Sequence, residues 1–149
     1  MKILILEDDA GSQHILRQLL EAEGHVCFIF DTPQTAIDAF DGIAPDVVLT
    51  DIHLPSAHGS DHVNSFCQKA YARVIVMTGY PTFELCQDVM NAGAQGFLVK
   101  PFKVKDFLEL AENTSGQALS IEVAQLRSRL LVLEAELTQL KGIEHETGH

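Results

Sequence analysis

Short apolar runs alternate with amphipathic segments along the first 115 residues. Unbroken apolar runs predict five strands, because they are typical of strands covered on both faces of a parallel sheet. The predicted strands are Lys2–Leu6, His25–Phe30, Asp46–Thr50, Val74–Met77 and Gly96–Val99. Apolar residues three and four apart in the intervening segments predict amphipathic helices. Five strands alternating with five helices predict a doubly wound α/β sandwich.

Local signals predict where the helices begin and end. We predict Ser12 as the N-cap of the first helix, and Thr32 followed by Pro33 as the start of the second. Gly24 and Gly42 are predicted to end these two helices. The other predicted helices run near 61–70, from the cap Thr82 to Asn91 before Gly93, and over 103–112.

A heptad repeat follows the polar break at 113–116. Its apolar positions are Leu119, Val123, Leu126, Leu130, Leu133, Leu137 and Leu140. Val123, Leu130 and Leu137 occupy position a, and the other leucines occupy position d. The pattern predicts a globular domain over 1–115, a coiled-coil helix over 116–142 and a frayed tail over 143–149.

The charges beside this seam favour a parallel homodimer. In a parallel pair, position g faces position e of the next heptad on the partner helix. The facing pairs would be Glu122 with Arg127, Arg129 with Glu134, and Glu136 with Lys141, all opposite in sign. The alternative is one helix packed back on its own domain, which the off-seam apolar residues Ile121, Leu131 and Val132 leave open.

The net charge of −11 makes attraction to DNA or to an anionic membrane unfavourable. Apolar runs are too short to cross a bilayer, and the first residues lack the features of a secretory signal, so we expect a cytoplasmic location. Three cysteines with no metal-type spacing, Cys27, Cys67 and Cys86, are expected to be structural thiols.

Polar residues follow four of the predicted strands. Glu7-Asp8-Asp9 follows the first strand, Asp51 the third, Thr78 the fourth and Lys100 the fifth. Ligands of open parallel sheets bind at the carboxyl ends of the strands, so these side chains should converge. Clustered carboxylates call for a cation, and oxygen ligands suit Mg²⁺. With a lysine and a hydroxyl nearby, the site could position a phosphoryl group.

Glu7-Asp8, Asp51, Thr78 and Lys100-Pro101 occupy the order and strand-end positions of response-regulator receiver domains. Residues 1–115 therefore resemble that family. The resemblance implies a flavodoxin-like (βα)5 fold with strand order 2-1-3-4-5. It also implies that Asp51 accepts a phosphoryl group from a histidine kinase or a histidine phosphotransfer protein, with Mg²⁺ or Mn²⁺ as the cofactor.

Further roles follow from the resemblance. Asp8 would bind the metal directly, Glu7 mostly through a metal-bound water, and Asp51 and the backbone carbonyl of His53 would complete the protein ligands. Thr78 and Lys100 would bind the phosphoryl oxygens. Phe97 occupies the position of a switch aromatic that rotates with Thr78, although it could equally be an ordinary core residue.

Two side chains near the acceptor could control the lifetime of the phosphate. His53 and Tyr80 follow Asp51 and Thr78 at the same spacing of two residues, so both could shield the phosphoryl group from water. A zinc site made of His53, His58 and His62 is disfavoured, because a loop followed by a helix start gives no regular ligand geometry. The loop departs from the family pattern at Ala57-His58.

The predicted function is a phosphorylation-dependent signalling switch that controls a dimer or an unknown downstream protein, rather than an enzyme with an external substrate. One alternative is a constitutive dimerisation scaffold. Another is the receiver and linker of a transcriptional regulator whose output domain is absent. An independent phosphatase is disfavoured, because no segment is available for a substrate-specifying cap domain. No nucleic-acid or membrane partner is expected for this fragment.

Overall fold

The computed structural model describes residues 1–55, 61–69, 72–112, 130 and 132–140. Strands and helices alternate along the chain as far as residue 112, as the sequence predicts. The elements are β1 (Lys2–Leu6), α1 (Ala10–Ala22), β2 (Val26–Phe30), α2 (Pro33–Ile43), β3 (Val47–Asp51), α3 (Asp61–Cys67), β4 (Arg73–Thr78), α4 (Phe83–Asn91), β5 (Gly96–Val99) and α5 (Val104–Glu112). A C-terminal helix, α6, covers 132–140.

The five strands form one parallel sheet in the order β2-β1-β3-β4-β5. This confirms the predicted fold class and strand order. Every residue of β3 is buried, as are all residues of β1 and β4 after the first. These strands carry the unbroken apolar runs because helices cover both faces of the sheet.

Two apolar cores lie on opposite faces of the sheet. In one core, Leu16 and Leu20 of α1 and Phe107 and Leu110 of α5 pack against alternate strand residues. The other core contains residues of α2, α3 and α4, including Phe40, Phe66 and Val89. Adjacent residues of one strand enter different cores, since side chains alternate across a sheet. The two cores hold the sheet between two layers of helices, and these layers leave the carboxyl edge of the sheet uncovered.

The predicted N-cap of α1, Ser12, was wrong by three residues. The helix begins at Ala10, and its N-cap is Asp9, whose carboxylate accepts a hydrogen bond from the Ser12 N–H at 2.8 Å. Aspartate and serine are both good caps, and the residue that reaches the free N–H group decides between them. As a result, Asp9 is used by the helix and does not belong to the acidic cluster described below.

The predicted end of α2 was also wrong. The helix continues through Gly42 to Ile43, and Ala44 adopts the left-handed conformation with φ 50°. The N–H of Ala44 donates to the Phe40 carbonyl at 2.8 Å. Gly42 therefore lies two residues before Ala44, the position whose left-handed backbone would favour glycine.

Other predicted ends agree more closely. Thr32 and Thr82 cap α2 and α4, and Gly24 and Gly93 adopt positive φ after α1 and α4. β3 and β4 each end one residue later than predicted, which includes Asp51 and Thr78 in the strands. α3 ends at Cys67 and α5 begins at Val104, where longer helices were predicted.

Helix α6 covers part of the predicted coiled-coil segment. Leu130, Leu133, Leu137 and Leu140 fall within the described residues, whereas Leu119, Val123 and Leu126 do not. The predicted boundary at residues 115 and 116 and the predicted tail 143–149 also lie outside them and stay predictions. None of the helices in the described ranges has the length and apolar character needed to span a bilayer.

Candidate functional site

The strand register brings the predicted site residues to one edge of the sheet. Asp51, the last residue of β3, pairs with Met77 of β4. Thr78 then ends β4 and pairs with Val99, the residue before Lys100. Glu7 follows β1, and its N–H donates to the Phe30 carbonyl at 3.0 Å. The structure thus brings the predicted residues together at the carboxyl edge of the sheet.

Three carboxylates form an acidic cluster: Glu7, Asp8 and Asp51. One oxygen from each lies within 4.8 Å of the others. Oxygens on an octahedral Mg²⁺ ion are about 3 to 4.2 Å apart, given metal–oxygen distances near 2.1 Å. Glu7 and Asp51 are buried, whereas Asp8 is exposed. The cluster therefore has the ligand type and nearly the spacing for a small divalent cation, with one side open to water.

Lys100 links two members of the acidic cluster. Its Nζ lies 2.7 Å from Glu7 Oε2 and 2.6 Å from Asp51 Oδ2. The lysine follows β5, and its backbone N–H donates to the Thr78 carbonyl at 2.8 Å. The pairing of β5 with β4 therefore places the Lys100 ammonium group next to the Asp51 carboxylate. A fixed cation in this place can neutralise an anion that is attached to Asp51.

Burial and charge act against each other in this group. Burial raises the pKa of Glu7, and the ammonium of Lys100 only partly offsets that effect. Burial alone would lower the pKa of Lys100, but hydrogen bonds to Asp51 and Glu7 outweigh it and raise the pKa. Lys100 is therefore held as a cation. A divalent cation would reverse the effect at Glu7 by favouring its ionised form.

The backbone around Asp51 is fixed by side chains that sequence reasoning missed. The Asp51 carbonyl accepts hydrogen bonds from Thr50 Oγ1 at 2.9 Å and from His62 Nε2 at 3.0 Å. The His53 N–H donates to Asp51 Oδ1 at 2.9 Å. Asp51 Oδ2 then faces Lys100. The Asp51 carbonyl and both of its carboxylate oxygens thus each have a hydrogen-bond partner.

His62 was considered in the sequence only as a weak zinc ligand. It lies at the start of α3 beside Val63, and Phe66 follows one turn later, which is the spacing of the inward helix face. The spacing of His62 from Phe66 in the sequence could therefore have predicted that this histidine is buried. Among the described residues, His53 and His62 join no metal-ligand group, and His58 lies outside the description.

Gln13 is another site residue that the sequence did not indicate. Its side-chain amide donates to the Glu7 carbonyl from the first turn of α1. The Asp9 N–H donates to Glu7 Oε1 at 3.1 Å. These contacts depend on how α1 sits on the sheet, and periodicity alone gives no information on that placement.

The structure also describes the two predicted switch residues, Thr78 and Phe97, and the two residues predicted to shield the phosphoryl group, His53 and Tyr80. Thr78 is fully buried, and its Oγ1 accepts a hydrogen bond from the Tyr80 N–H at 3.0 Å. Phe97 is fully buried in the core. The rings of His53 and Tyr80 meet edge to face with centroids 5.7 Å apart. The two predicted shielding residues are therefore in contact.

The comparisons with known proteins agree with this site. Residues 3–112 match the family model of the response regulator receiver domain. A five-stranded parallel sheet with an acidic cluster and a lysine at its carboxyl edge defines the receiver class. The chain belongs to the response regulator receiver domain family, as the sequence predicts, and it carries the receiver of a two-component response regulator.

Several relatives indicate how much of the chain is shared. Transcriptional regulatory protein PdtaR of Mycobacterium tuberculosis is 32% identical over 135 residues, which cover 87% of this chain and 66% of PdtaR. Transcriptional regulatory protein FixJ of Bradyrhizobium diazoefficiens is 29% identical over 117 residues, which cover 78% of this chain and 57% of FixJ. The chain thus spans less than two thirds of these relatives.

A solved structure supports the same fold. The CheY-like receiver domain of Methanospirillum hungatei superposes with a TM-score of 0.69 and 28% identity, over 74% of this chain and 90% of that structure. Receiver domains as a class interact with histidine kinases or phosphotransfer proteins. The shared region covers the acidic cluster, Thr78 and Lys100, whereas α6 lies beyond the family match.

Proposed function

We propose that Asp51 is the phosphoacceptor of a two-component signalling switch. An Asp51 carboxylate oxygen would attack the phosphorus of a phosphohistidine. The phosphorus–nitrogen bond would break, and its electron pair would leave with the imidazole, which takes up a proton. The observation that carries the proposal is the position of Lys100 Nζ, 2.6 Å from Asp51 Oδ2. This ammonium would offset the charge of the transferred group.

Asp8, Glu7 and Asp51 would hold a Mg²⁺ ion, or Mn²⁺ in its place, together with the backbone carbonyl of His53. Asp8 supports this proposal because its carboxylate is exposed and free of the Lys100 bridge. Glu7 is shared with Lys100, which favours contact through a water. The ion would neutralise phosphoryl oxygens during transfer. Thr78 would donate its hydroxyl hydrogen to a phosphoryl oxygen after transfer.

The acceptor assignment is tested with acetyl phosphate and Mg²⁺. The chain should gain the mass of one phosphoryl group in intact-mass spectrometry, and Asp51→Asn should gain none. Asp8→Asn should slow the labelling, because it removes one charge from the metal ligands while the size of the side chain is kept. Labelling of the Asp51→Asn variant at the wild-type rate would refute the assignment.

The partner that supplies the phosphoryl group would dock beside Lys100. Ile15 and Leu19 of α1 are 56% and 48% exposed. They line a groove of about 310 Å³ that extends to Lys100 and Phe102. An exposed apolar groove next to the acceptor suits the apolar face of a histidine-bearing helix. Serine at both Ile15 and Leu19 should slow transfer from a histidine kinase while labelling by acetyl phosphate is retained.

His53 and Tyr80 would shield the phosphoryl group from water. Their edge-to-face contact beside Asp51 and Thr78 supports this role. Alanine at either position should speed dephosphorylation, followed as loss of the added mass over time. The idea fails if both alanine variants keep the wild-type lifetime.

The output would be a change in a homodimer or in the docking of a downstream protein. A constitutive dimerisation scaffold remains the first alternative. The similarity to the transcriptional regulatory proteins PdtaR and FixJ favours the second, the receiver and linker of a transcriptional regulator. Beryllofluoride with Mg²⁺ discriminates switch from scaffold, because a switch should change its NMR spectrum or oligomeric state.

The chain is proposed to act as a signalling protein rather than as an enzyme with an external substrate. It would catalyse only its own phosphorylation and dephosphorylation. Consumption of acetyl phosphate should therefore be limited by the decay of phosphorylated Asp51. Steady consumption in the Asp51→Asn variant would instead indicate an independent hydrolase.

A further inference from the structure

Helix α6 presents two different faces. Val132 is fully buried and belongs to the core on the α2, α3 and α4 side of the sheet. The leucines of the heptad seam point away from the receiver: Leu130, Leu133, Leu137 and Leu140 are 46–57% exposed. The sequence posed these outcomes as alternatives, a helix packed back on its domain or a helix with a free seam. The structure combines them.

The angular positions of the α6 residues around the helix axis explain how α6 can pack on its receiver while its leucine seam stays exposed. At about 100° per residue, Ala135 lies opposite the centre of the leucine seam and Val132 lies about 120° from it. Ala135 lines a cavity together with Val99 and Asp106 of the receiver. The receiver therefore occupies the back of the helix and leaves the seam free.

A hydrogen bond fixes α6 to the start of α4. Oε1 of Glu136 accepts the N–H of Phe83 at 2.6 Å. Phe83 is the first residue of α4, and its N–H is one of those that no helical carbonyl can satisfy. The negative carboxylate also suits the positive end of the helix dipole. Val132 and Glu136 thus anchor α6 by apolar burial and by a charged cap.

We propose that a second copy of this chain docks on the leucine face of α6 while α6 stays seated on its own receiver. The inference deepens the homodimer of the proposed function, joined through the coiled coil that the sequence predicts, and rests on it. It defines a dimer of rigid units with one receiver on the outer side of each helix. The alternative geometry, in which α6 leaves the receiver to pair, would expose Val132 and the Phe83 N–H.

Charge complementarity favours the second copy as the occupant. In a parallel pair of identical helices, Glu134 at position e faces Arg129 at position g of the partner helix. Glu136 at position g already accepts the hydrogen bond from the Phe83 N–H, so in the docked dimer it does not pair with Lys141 of the partner helix. An exposed pair of this kind contributes little to stability. The leucine seam, free on all four described positions, supplies the main contact.

The test uses the unphosphorylated full chain and two readouts. Sedimentation reports the oligomeric state, and NMR hydrogen exchange reports whether the Phe83 amide is bonded. We expect a dimer with a protected Phe83 amide. Replacing Leu133 and Leu137 by glutamate should give a monomer in which Phe83 stays protected, since the seam is not part of the docked face.

Glu136 provides the complementary variant and its matched control. Glu136→Ala should leave a dimer and accelerate exchange of the Phe83 amide about tenfold or more. Glu136→Gln keeps an acceptor oxygen and should preserve most of the protection. A monomeric wild type, a dimer that survives both leucine substitutions, or a dimer with an unprotected Phe83 amide would each overturn the inference. None of these readouts involves Asp51, so failure of the phosphoacceptor assignment would be seen separately.

Discussion

Lys100 holds two carboxylates that would otherwise repel each other across a buried site. Replacement by methionine keeps the chain length and removes the charge. We expect Lys100→Met to lower the unfolding free energy by about 1–2 kcal/mol in EDTA, a loss limited by protonation of Glu7, whose pKa is already raised. Mg²⁺ should restore part of that stability, because a cation again separates the carboxylates.

Urea denaturation with EDTA and with Mg²⁺ measures both parts of the Lys100 prediction. Lys100→Arg serves as the control that keeps the charge. A methionine variant as stable as the wild type in EDTA would show that the ammonium contributes nothing to the resting site.

His62 makes stability depend on pH in a defined direction. Burial lowers the pKa of His62 below its ordinary value of 6.5, and this effect outweighs the hydrogen bond to the Asp51 carbonyl, which would raise the pKa. The unfolded chain therefore binds a proton at a pH where the folded chain does not. Stability from this residue is present above pH 6.5 and falls as the pH drops below it.

Leucine at position 62 removes the titrating group with little change in size. In His62→Leu, the loss of unfolding free energy between pH 7.5 and pH 5 should be smaller than in the wild type, by urea denaturation in EDTA. At pH 7.5 the two proteins should differ by no more than about 1 kcal/mol, since Thr50 still donates to the Asp51 carbonyl. Equal pH slopes would exclude His62 as the cause.

The sequence predicted the residues at the carboxyl edge of the sheet because each follows a predicted strand. Asp51, Thr78 and Lys100 needed only the rule that parallel strands share a carboxyl edge. His62 and Gln13 reach the site from helices, and their contacts depend on how those helices pack. Periodicity placed their helices but not their partners, and this is why both residues were missed.

At the scale of elements, strands were predicted closely and helix ends less well. β5 matches its prediction at both ends, because a buried strand is marked by the whole of its apolar run. A helix end is marked by one residue, and two capping residues can lie within one turn of each other, as Asp9 and Ser12 do. When two such residues are close together, the backbone conformation determines which of them caps the helix.

The end of α2 offers a direct test of this competition. Gly42 lies inside the helix with open space around its missing Cβ, whereas Ala44 is strained at φ 50°. Gly42→Ala should stabilise the protein by about 0.5–1 kcal/mol through helix propensity. Ala44→Gly should add up to about 1 kcal/mol by removing left-handed strain, less the entropy that glycine gains when unfolded.

Thermal unfolding of the single and double variants measures the α2 prediction, and the two gains should be nearly additive if the helix end is unchanged. Gly93→Ala is the opposite control. Its φ is 108°, and a Cβ there would lie 3.2 Å from the Cβ of Cys67, so it should destabilise. A double variant less stable than the wild type would mean that α2 ends before Ala44 in solution.

At the scale of the whole molecule, a short path joins Thr78, which lies at the same sheet edge as Asp51, to α6. Thr78 Oγ1 holds the Tyr80 N–H, Thr82 caps α4, and the N–H of Phe83 is held by Glu136. If Thr78 turns toward a phosphoryl group, the loop it holds must shift, and α4 begins only five residues later. That shift would weaken the contact of Glu136 with Phe83 and free the carboxylate to pair with Lys141 of a second copy.

Beryllofluoride with Mg²⁺ should therefore move the Phe83 amide resonance and tighten the dimer by about two- to thirtyfold, the range expected from two exposed ion pairs of about 0.2–1 kcal/mol each. Thr78→Val keeps the shape of the buried side chain and removes the hydroxyl, so both effects should vanish although fluorine NMR still detects bound beryllofluoride. Thr78→Ser should retain them. If the wild type binds beryllofluoride with no change at Phe83 or in the dimer, signal transfer along this path is excluded, and the constitutive scaffold becomes the better description of α6.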